Sequence, residues 1–238
     1  MPNISVLLCA YQETIEEFEI AVRSVVLQTL RPKQLVIVDD SGESRFLSRC
    51  QILQETLLAK TGVELTYVEN KVNLGLVASL NLGLARVSGD YVARMDADDI
   101  SLPYRFRKQV ELLESGFGIT GGGITLFNDA GLLRDVHYPA TRFGVLYSFL
   151  FNNPIAHPVS MFKTEVISRL QGYQQVDYAE DLDLWMRAYL GGDRITNCRS
   201  ILLLRRVHAK QLSSKHSSEQ RRSTQQLRRL FRKHFFRL

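Results

Sequence analysis

The chain opens with a short apolar run, Ile4–Cys9, followed by Phe18, Ala21, Val22 and Val25 at spacings of three and four. Such a run reads as a buried strand, and apolar positions at that spacing read as one face of a helix. The alternation then repeats. Leu35–Val38 predicts a second strand and Phe46, Cys50, Leu53 and Leu57 a second helical face. Val63–Val68 predicts a third strand, Val77, Leu80 and Leu84 a third face, and Tyr91–Met95 a fourth strand. Strand-helix alternation of this kind implies an α/β fold, a mainly parallel sheet with helices on both faces. Beyond Pro103 the pattern loosens. Phe106, Val110 and Leu113 mark a helix; Gly118–Phe127 and Leu132–His137 flank the turn Asn128-Asp129-Ala130-Gly131 as two strands. A further helix over Glu180–Leu190 stops at Gly191-Gly192, residues suited to a C-terminal cap.

At 238 residues and 45% hydrophobic, the chain is long enough for one sizeable core with an appendage. The three cysteines, Cys9, Cys50 and Cys198, lack metal-ligand spacing and read as idle thiols of a reducing compartment. Ile4–Ala10 lacks the basic leader of a secretory signal. No apolar run approaches the roughly 20 residues of a membrane helix. The net charge of +5 conceals a split: from Arg205 onward 11 Lys or Arg face one acid, Glu219, leaving 19 basic and 24 acidic residues elsewhere. A mildly acidic body over 1–213 therefore carries a strongly basic tail over 214–238, which points to an anionic partner for the tail.

The strongest chemical signal lies where two strands end. The second stops at Asp39-Asp40-Ser41-Gly42 and the fourth at Asp96-Ala97-Asp98-Asp99. In open α/β sheets ligands bind beyond the carboxyl ends of strands. Residues i and i+2 of a strand point the same way, so Asp96 and Asp98 face one site. Paired carboxylates suit a hard divalent cation, Mn²⁺ or Mg²⁺, which grips a diphosphate and offsets its charge. Taken alone, the triplet also fits a solvated acidic turn.

The run Val6-Leu7-Leu8-Cys9-Ala10-Tyr11-Gln12-Glu13, then Val36-Ile37-Val38-Asp39-Asp40-Ser41, Asn73-Leu74-Gly75, Asn81-Leu82-Gly83, Gly89-Asp90-Tyr91 and Arg94-Met95-Asp96-Ala97-Asp98-Asp99, resembles the nucleotide-binding half of family 2 glycosyltransferases. Glu180-Asp181-Leu182-Asp183-Leu184-Trp185 is similar to that family's acceptor-side E-D motif. Arg206-Val207-His208, with Gln211 and Ser213 after it, is similar to its late R-x-H segment. The resemblance spans about residues 3 to 213 and is carried by the ordered set rather than by any one motif. It implies a GT-A fold, a nucleotide-sugar donor, most simply a UDP-sugar, a divalent metal, and inversion at the anomeric carbon. By analogy Ala10, Tyr11, Glu13, Asn73, Gly75 and Ala97 line the donor site, Asp39 binds the base and Asp96 the ribose. Asp98 ligates the metal, His208 completes its shell, and Asp181 is the catalytic base. Arg206 is a candidate phosphate contact. The implied acceptor is a glycan, free or carried on a polyprenyl lipid, in bacterial surface polysaccharide synthesis. The implied location is cytoplasmic, at the inner face of the cell membrane.

Several of these residues have plainer readings. Glu180 and Asp181 open a helix, where carboxylates favour the positive dipole end. His157 fits a satisfied structural histidine as well as an acceptor-site residue. Gly172-Tyr173 fits a helix C-cap as well as a mobile loop near the sugar. Trp185 is favoured as core. A nucleotidyltransferase would want an early glycine-rich G-x-G-x-R loop, absent here. A nucleic-acid-binding protein would rest on the tail alone, against an acidic body. In the tail, Leu227, Leu230, Phe231, Phe235 and Leu238 form one apolar stripe flanked by Arg228, Arg229, Arg232, Lys233 and Arg237. That pattern suits a helix lying on an anionic membrane, with docking on the protein's own body or on a second subunit, as in a homodimer, the alternative.

Overall fold

A computed structural model describes residues 2–208 and 217–235. In chain order the elements are β1 (Ile4–Ala10), α1 (Ile15–Val26), β2 (Gln34–Asp39), α2 (Leu47–Leu53), α3 (Ala59–Thr61), β3 (Glu64–Glu69), α4 (Leu76–Leu84), β4 (Tyr91–Asp96) and β5 (Ile100–Ser101). There follow α5 (Arg105–Glu114), β6 (Ile119–Asn128), β7 (Gly131–Val136), α6 (Arg142–Phe151), β8 (Met161–Lys163), α7 (Thr164–Arg169), α8 (Glu180–Leu190), β9 (Ile195–Arg206) and α9 (Ser217–Phe235). A π-turn over Gln54–Leu58 joins α2 to α3.

All the strands belong to one sheet, ordered β3-β2-β1-β4-β8-β6-β9-β5, with β7 paired to β6. The first four run parallel, as the expected βα alternation requires. Beyond β4 the sheet becomes mixed, because β8 is antiparallel to both β4 and β6. The expected hairpin over 118–137 is present as β6 and β7. Strand alternation divides the core in two. Val6 and Leu8 pack with Phe18, Val22 and Phe106 on one face, and Leu7, Val36 and Val38 pack with Leu80, Phe149 and Trp185 on the other. This architecture is the GT-A type of α/β fold implied by the resemblance.

Gly121-Gly122-Gly123 owe their place to packing against β9: a Cβ at Gly122 would strike the Leu202 side chain, and one at Gly121 would strike Asn197 and Ile155. The capping box of Thr14 and Glu17 fixes where α1 starts.

The tail departs from expectation. The division at residues 213 and 214, with Gln211 and Ser213, lies outside the described residues, as do Arg237 and Leu238. Helix α9, however, does not present its whole apolar stripe outward. Phe231 is 2% exposed and meets Phe149 of α6 at 5.0 Å and Tyr189 of α8 at 6.1 Å between ring centroids. Leu227 and Phe235 pack beside it. The rings of α6 and α8 already cover much of the stripe that was expected to enter lipid, and among its described residues only Leu230 stands out.

Truncation of a buried aromatic side chain costs about 3 kcal/mol. Phe231→Ala is therefore expected to raise the detached population of α9 about a hundredfold. Limited trypsin digestion reads this as faster cleavage within the arginine-rich helix. Equal cleavage of variant and parent would mean that the helix is not held by this contact.

Candidate active site

Strand register builds the first wall of the site. β1 pairs with β2 so that Ala10 lies beside Asp39, and with β4 so that Cys9 lies beside Asp96. Three strand ends thus open at one edge, with Ala10 and Ala97 buried beneath it. The second wall comes from β9. Ile100 and Ser101 of β5 pair antiparallel with Leu204 and Leu203. Continuing that register sets the turn 96–99 against residues 205–208. The Arg206 N–H donates to Asp99 Oδ1 at 2.8 Å, and His208 Nε2 lies 3.3 Å from Asp98 Oδ2. Two segments some 110 residues apart are joined by this small piece of sheet.

Asp96, Asp98 and Asp99 can each offer an oxygen within 4.8 Å of the others. Burial, then the Asp96 charge, pushes Asp98 up to about 6, although His208 opposes the shift. Asp99 is almost fully buried, and burial with the two neighbouring carboxylates holds its pKa well above the usual range. Its Oδ2 has no hydrogen-bond partner among the described residues. Crowded, mutually repelling carboxylates, two half-buried and one buried with an unpartnered oxygen, beside an imidazole are the donor set a hard divalent cation takes. The residues therefore fit the implied metal, with Asp98 and His208 brought together as expected.

Glu13 extends the cluster. Its Oε2 accepts the Tyr11 N–H at 2.6 Å, and burial, aided by Asp98 and Asp96, pushes it up to about 7. Tyr11 is exposed at the rim. Asp96 is ion-paired with Arg94, which is itself buried in the sheet.

The third wall is the N-terminus of α8. Asp181 Oδ2 accepts from Asn153 Nδ2 at 2.6 Å and Oδ1 from the Leu182 N–H at 2.7 Å. Burial raises its pKa in spite of those donors and of Arg94 and Arg205 nearby. Glu180 is pushed up to about 7 by burial and by Asp181, and it senses Arg94 and Asp96. Arg94 thus lies between the two acidic groups, electrostatically linked to both.

Four of the expected site residues, Asp39, Asn73, Gly75 and Arg206, make contacts within the protein itself. The Asp39 carboxylate is fully buried and accepts from the N–H groups of Ser41 and Phe46 and from the Tyr67 hydroxyl. These bonds organise the loop after β2. Asn73 and Gly75 are likewise turned to the protein. Asn73 Nδ2 and the Gly75 N–H both donate to the buried Asp40 carboxylate, with Gly75 at φ +84°. Arg206 directs its guanidinium to Glu17 and Asp129 and stacks on Phe127. Successive side chains of a strand point to opposite faces. Its neighbour Arg205 is the one whose charge reaches Asp99, Asp181 and Tyr138.

The plainer readings hold elsewhere. His157 is buried, bonded to the Tyr173 hydroxyl at 2.9 Å, and burial holds its pKa well below normal, so it is neutral. Gly172, at φ +73°, donates its N–H to Ile167 and caps α7. Asn81 then pins Tyr173 through two hydrogen bonds. Trp185 is core. Sequence reasoning assigned no role to Arg94, Asn153 or Arg205.

Residues 5–168 match the family model described as "Glycosyl transferase family 2". The chain is 31% identical over 229 residues, 95% of its length and 84% of the relative's, to the "Amylovoran biosynthesis glycosyltransferase AmsE" of Erwinia amylovora. It is 26% identical over 209 residues, 85% of its length and 73% of the relative's, to the "UDP-Gal:alpha-D-GlcNAc-diphosphoundecaprenol beta-1,3-galactosyltransferase" of Escherichia coli. Among solved structures, the mannosyltransferase PcManGT of Pyrobaculum calidifontis, in complex with GDP-Man and Mn²⁺, superposes with a TM-score of 0.68 at 19% identity. That match covers 88% of this chain, which spans 58% of the mannosyltransferase. TarS of S. aureus residues 1–349 with UDP-GlcNAc gives 0.67 at 17% identity, over 88% of this chain and 60% of that fragment.

Glu13 and Glu180 carry raised pKa values in the folded chain, so between the ordinary value near 4.5 and about 7 the folded state binds more protons than the unfolded one. Stability from these groups is present below that window and is lost as pH rises through it. The metal-free protein is expected to lose several degrees of Tm between pH 5 and pH 7.5, roughly, in scans at fixed ionic strength. Glu13→Gln is expected to flatten part of that slope. A Tm that climbs through the window in the parent would contradict the assignment.

Proposed function

The chain belongs to glycosyl transferase family 2, and we propose that it is an inverting enzyme that moves a sugar from a UDP-sugar to a lipid-linked glycan in bacterial surface polysaccharide synthesis. The observation that carries this reading is that the partly exposed carboxylate Asp181 and the triad Asp96, Asp98 and Asp99 share one buried cation, Arg94, which pairs with Asp96 and whose charge reaches Asp181. One side of the cleft is suited to a diphosphate and its cation, the other to an acceptor hydroxyl.

The donor diphosphate lies at the acidic triad, with its nucleoside over Ala10 and Tyr11. Asp39 serves base recognition through the loop it orders, and Asp40, Asn73 and Gly75 fix the loop beside it. Asp98 and His208, with Asp96 and Asp99, would hold Mn²⁺ or Mg²⁺. Such a cation, when bound, supplies the charge that offsets the departing diphosphate. Arg205 adds a positive side chain on the same side, in place of Arg206.

Transfer is a single displacement. Asp181 takes the proton of the acceptor hydroxyl, and that oxygen forms the new bond to the anomeric carbon. The bond from that carbon to the phosphate oxygen breaks, its electron pair leaves with the nucleoside diphosphate, and the configuration inverts. One base suffices, in contrast to the carboxylate pair of most glycoside hydrolases. The raised pKa of Asp181 strengthens it as a base. Asn153 holds its Oδ2 and the Leu182 N–H its Oδ1, which fixes the carboxylate at the head of α8.

The UDP preference draws on the relative named for UDP-Gal and on the TarS complex with UDP-GlcNAc. The lipid-linked acceptor draws on the diphosphoundecaprenol in the former's name. Neither nucleotidyl transfer nor nucleic-acid binding gains support from any of these relatives.

Asp181→Asn keeps shape and removes basicity, so turnover is expected to fall roughly 10²-fold or more. The assay is a panel of UDP- and GDP-sugars with Mn²⁺, read by product formation and by the anomeric configuration of the product. Near-normal turnover would move the base elsewhere, and a retained configuration would overturn single displacement. Asn153→Ala removes a donor that favours the charged carboxylate. It is therefore expected to move the acidic limb of the kcat/KM profile to higher pH. An unmoved limb would leave Asn153 a merely structural residue.

A further inference from the structure

Helix α6 carries an aromatic stripe that stays exposed among the described residues. Phe143, Tyr147 and Phe151 recur every four residues along one face and are 77%, 55% and 56% exposed, while Val145 and Phe149 on the other face are buried. The Tyr147 and Phe151 rings touch, with centroids 4.9 Å apart. Single exposed apolar residues need no explanation, but three large rings in a row on one helix mark an interaction surface.

Charge identifies what it fits. No Asp or Glu occurs between Asp135 and Glu165, in a chain with 25 of them. Against α6, through Phe149 and Phe231, packs α9, whose described residues include six Lys or Arg and one acid. Arg222, Arg229 and Lys233, which recur along the face opposite Phe231, are exposed. An acid-free aromatic helix thus lies beside an arginine-rich one.

We propose that α6 and α9 together form the face that rests on an anionic membrane surface, with the α6 rings entering the headgroup region and the α9 cations meeting lipid phosphates. Tyrosine and phenylalanine beside Lys and Arg are the side chains that favour this interface. The lipid-entering residues belong to α6, because the apolar stripe of α9 is spent on holding the two helices together. A second copy of the chain is the poorer occupant, since a two-fold contact across this face would set the cations of α9 against themselves. The stripe ends close to the site: Phe151 is two residues before Asn153, whose amide holds Asp181. On the glycosyltransferase reading, and only in this respect resting on it, the base then faces an acceptor whose carrier lies in the same bilayer.

Vesicle sedimentation tests the surface without any reference to transfer. The full chain is mixed with vesicles of phosphatidylglycerol and phosphatidylethanolamine in equal parts, or of phosphatidylcholine alone. The parent is expected to sediment with the anionic vesicles and to be released in part by high salt. Phe143→Ser/Tyr147→Ser/Phe151→Ser and Arg222→Gln/Arg229→Gln/Lys233→Gln are each expected to lower the anionic partition coefficient at least tenfold. Both sets of positions are exposed, so Tm and turnover on a soluble acceptor are expected to stay at parent values. Parent-like sedimentation of either variant, equal binding to phosphatidylcholine, or no binding by the parent would overturn the proposal. So would conversion of a parent dimer to monomer by the aromatic variant on size-exclusion chromatography, because the second copy would then be the occupant. Vesicle binding with no transfer activity in the parent would leave this surface standing and remove the enzymatic reading instead.

Discussion

Asp96, Asp98 and Asp99 concentrate negative charge within 4.8 Å at the end of a buried strand, and the surrounding chain is arranged around that concentration. Burial first, and the neighbouring like charges second, hold the pKa of Asp98 and Asp99 above the usual carboxylate range. The protein offsets the repulsion only in part. Arg94 pairs with Asp96 from below, the Arg206 N–H holds one oxygen of Asp99, and His208 approaches Asp98. A divalent cation would complete the compensation. The antiparallel contact of β5 with β9 is what makes this possible, since it brings residues 205–208 across the sheet to the acidic turn.

Arg94 ties the two halves of the site together. It is buried within β4 and pairs with Asp96, and its charge is also felt by Glu180 and Asp181 at the head of α8. Arg94 is thus one fixed cation shared by the acidic turn after β4 and the head of α8. The fixed quality comes from packing. Trp185, His157 and Tyr173 surround this part of the core, with His157 neutral and bonded to Tyr173. Asn81 locks the backbone at Tyr173 from the side of α4.

How much of this was legible depended on which physical signal a residue leaves in the sequence. Strands β1, β2 and β4 are largely apolar runs buried on both faces, so their positions and the acidic ends that follow β2 and β4 could be read directly. Helix α6 was not read, because Phe143, Tyr147 and Phe151 make it apolar on its exposed face too and blur the helical stripe. Strand β9 was hidden by Cys198-Arg199-Ser200, which interrupts its apolar pattern where the register against β6 shifts. Choosing between Arg205 and Arg206 needs the facing of the strand, and adjacent residues differ in that by half a turn. Asp39 carries the right chemistry for a base contact, but only the fold reveals that Ser41, Phe46 and Tyr67 already occupy it. For the tail, the pattern of Leu227, Phe231 and Phe235 announced an amphipathic helix, and the rings that cover it lie far away in sequence at Phe149 and Tyr189.

The central claim is that the turn after β4, closed by His208, is a divalent-cation site that serves a nucleoside diphosphate. Isothermal titration of UDP into the protein, with and without Mn²⁺, tests it most directly when run in parallel on Asp98→Asn, which keeps shape and removes one charge. The account predicts that Mn²⁺ tightens UDP binding at least tenfold in the parent and has no such effect in the variant, with Tm showing both to be folded. Binding of UDP that is equally tight with and without Mn²⁺ in the parent, or an undiminished Mn²⁺ effect in Asp98→Asn, would contradict it.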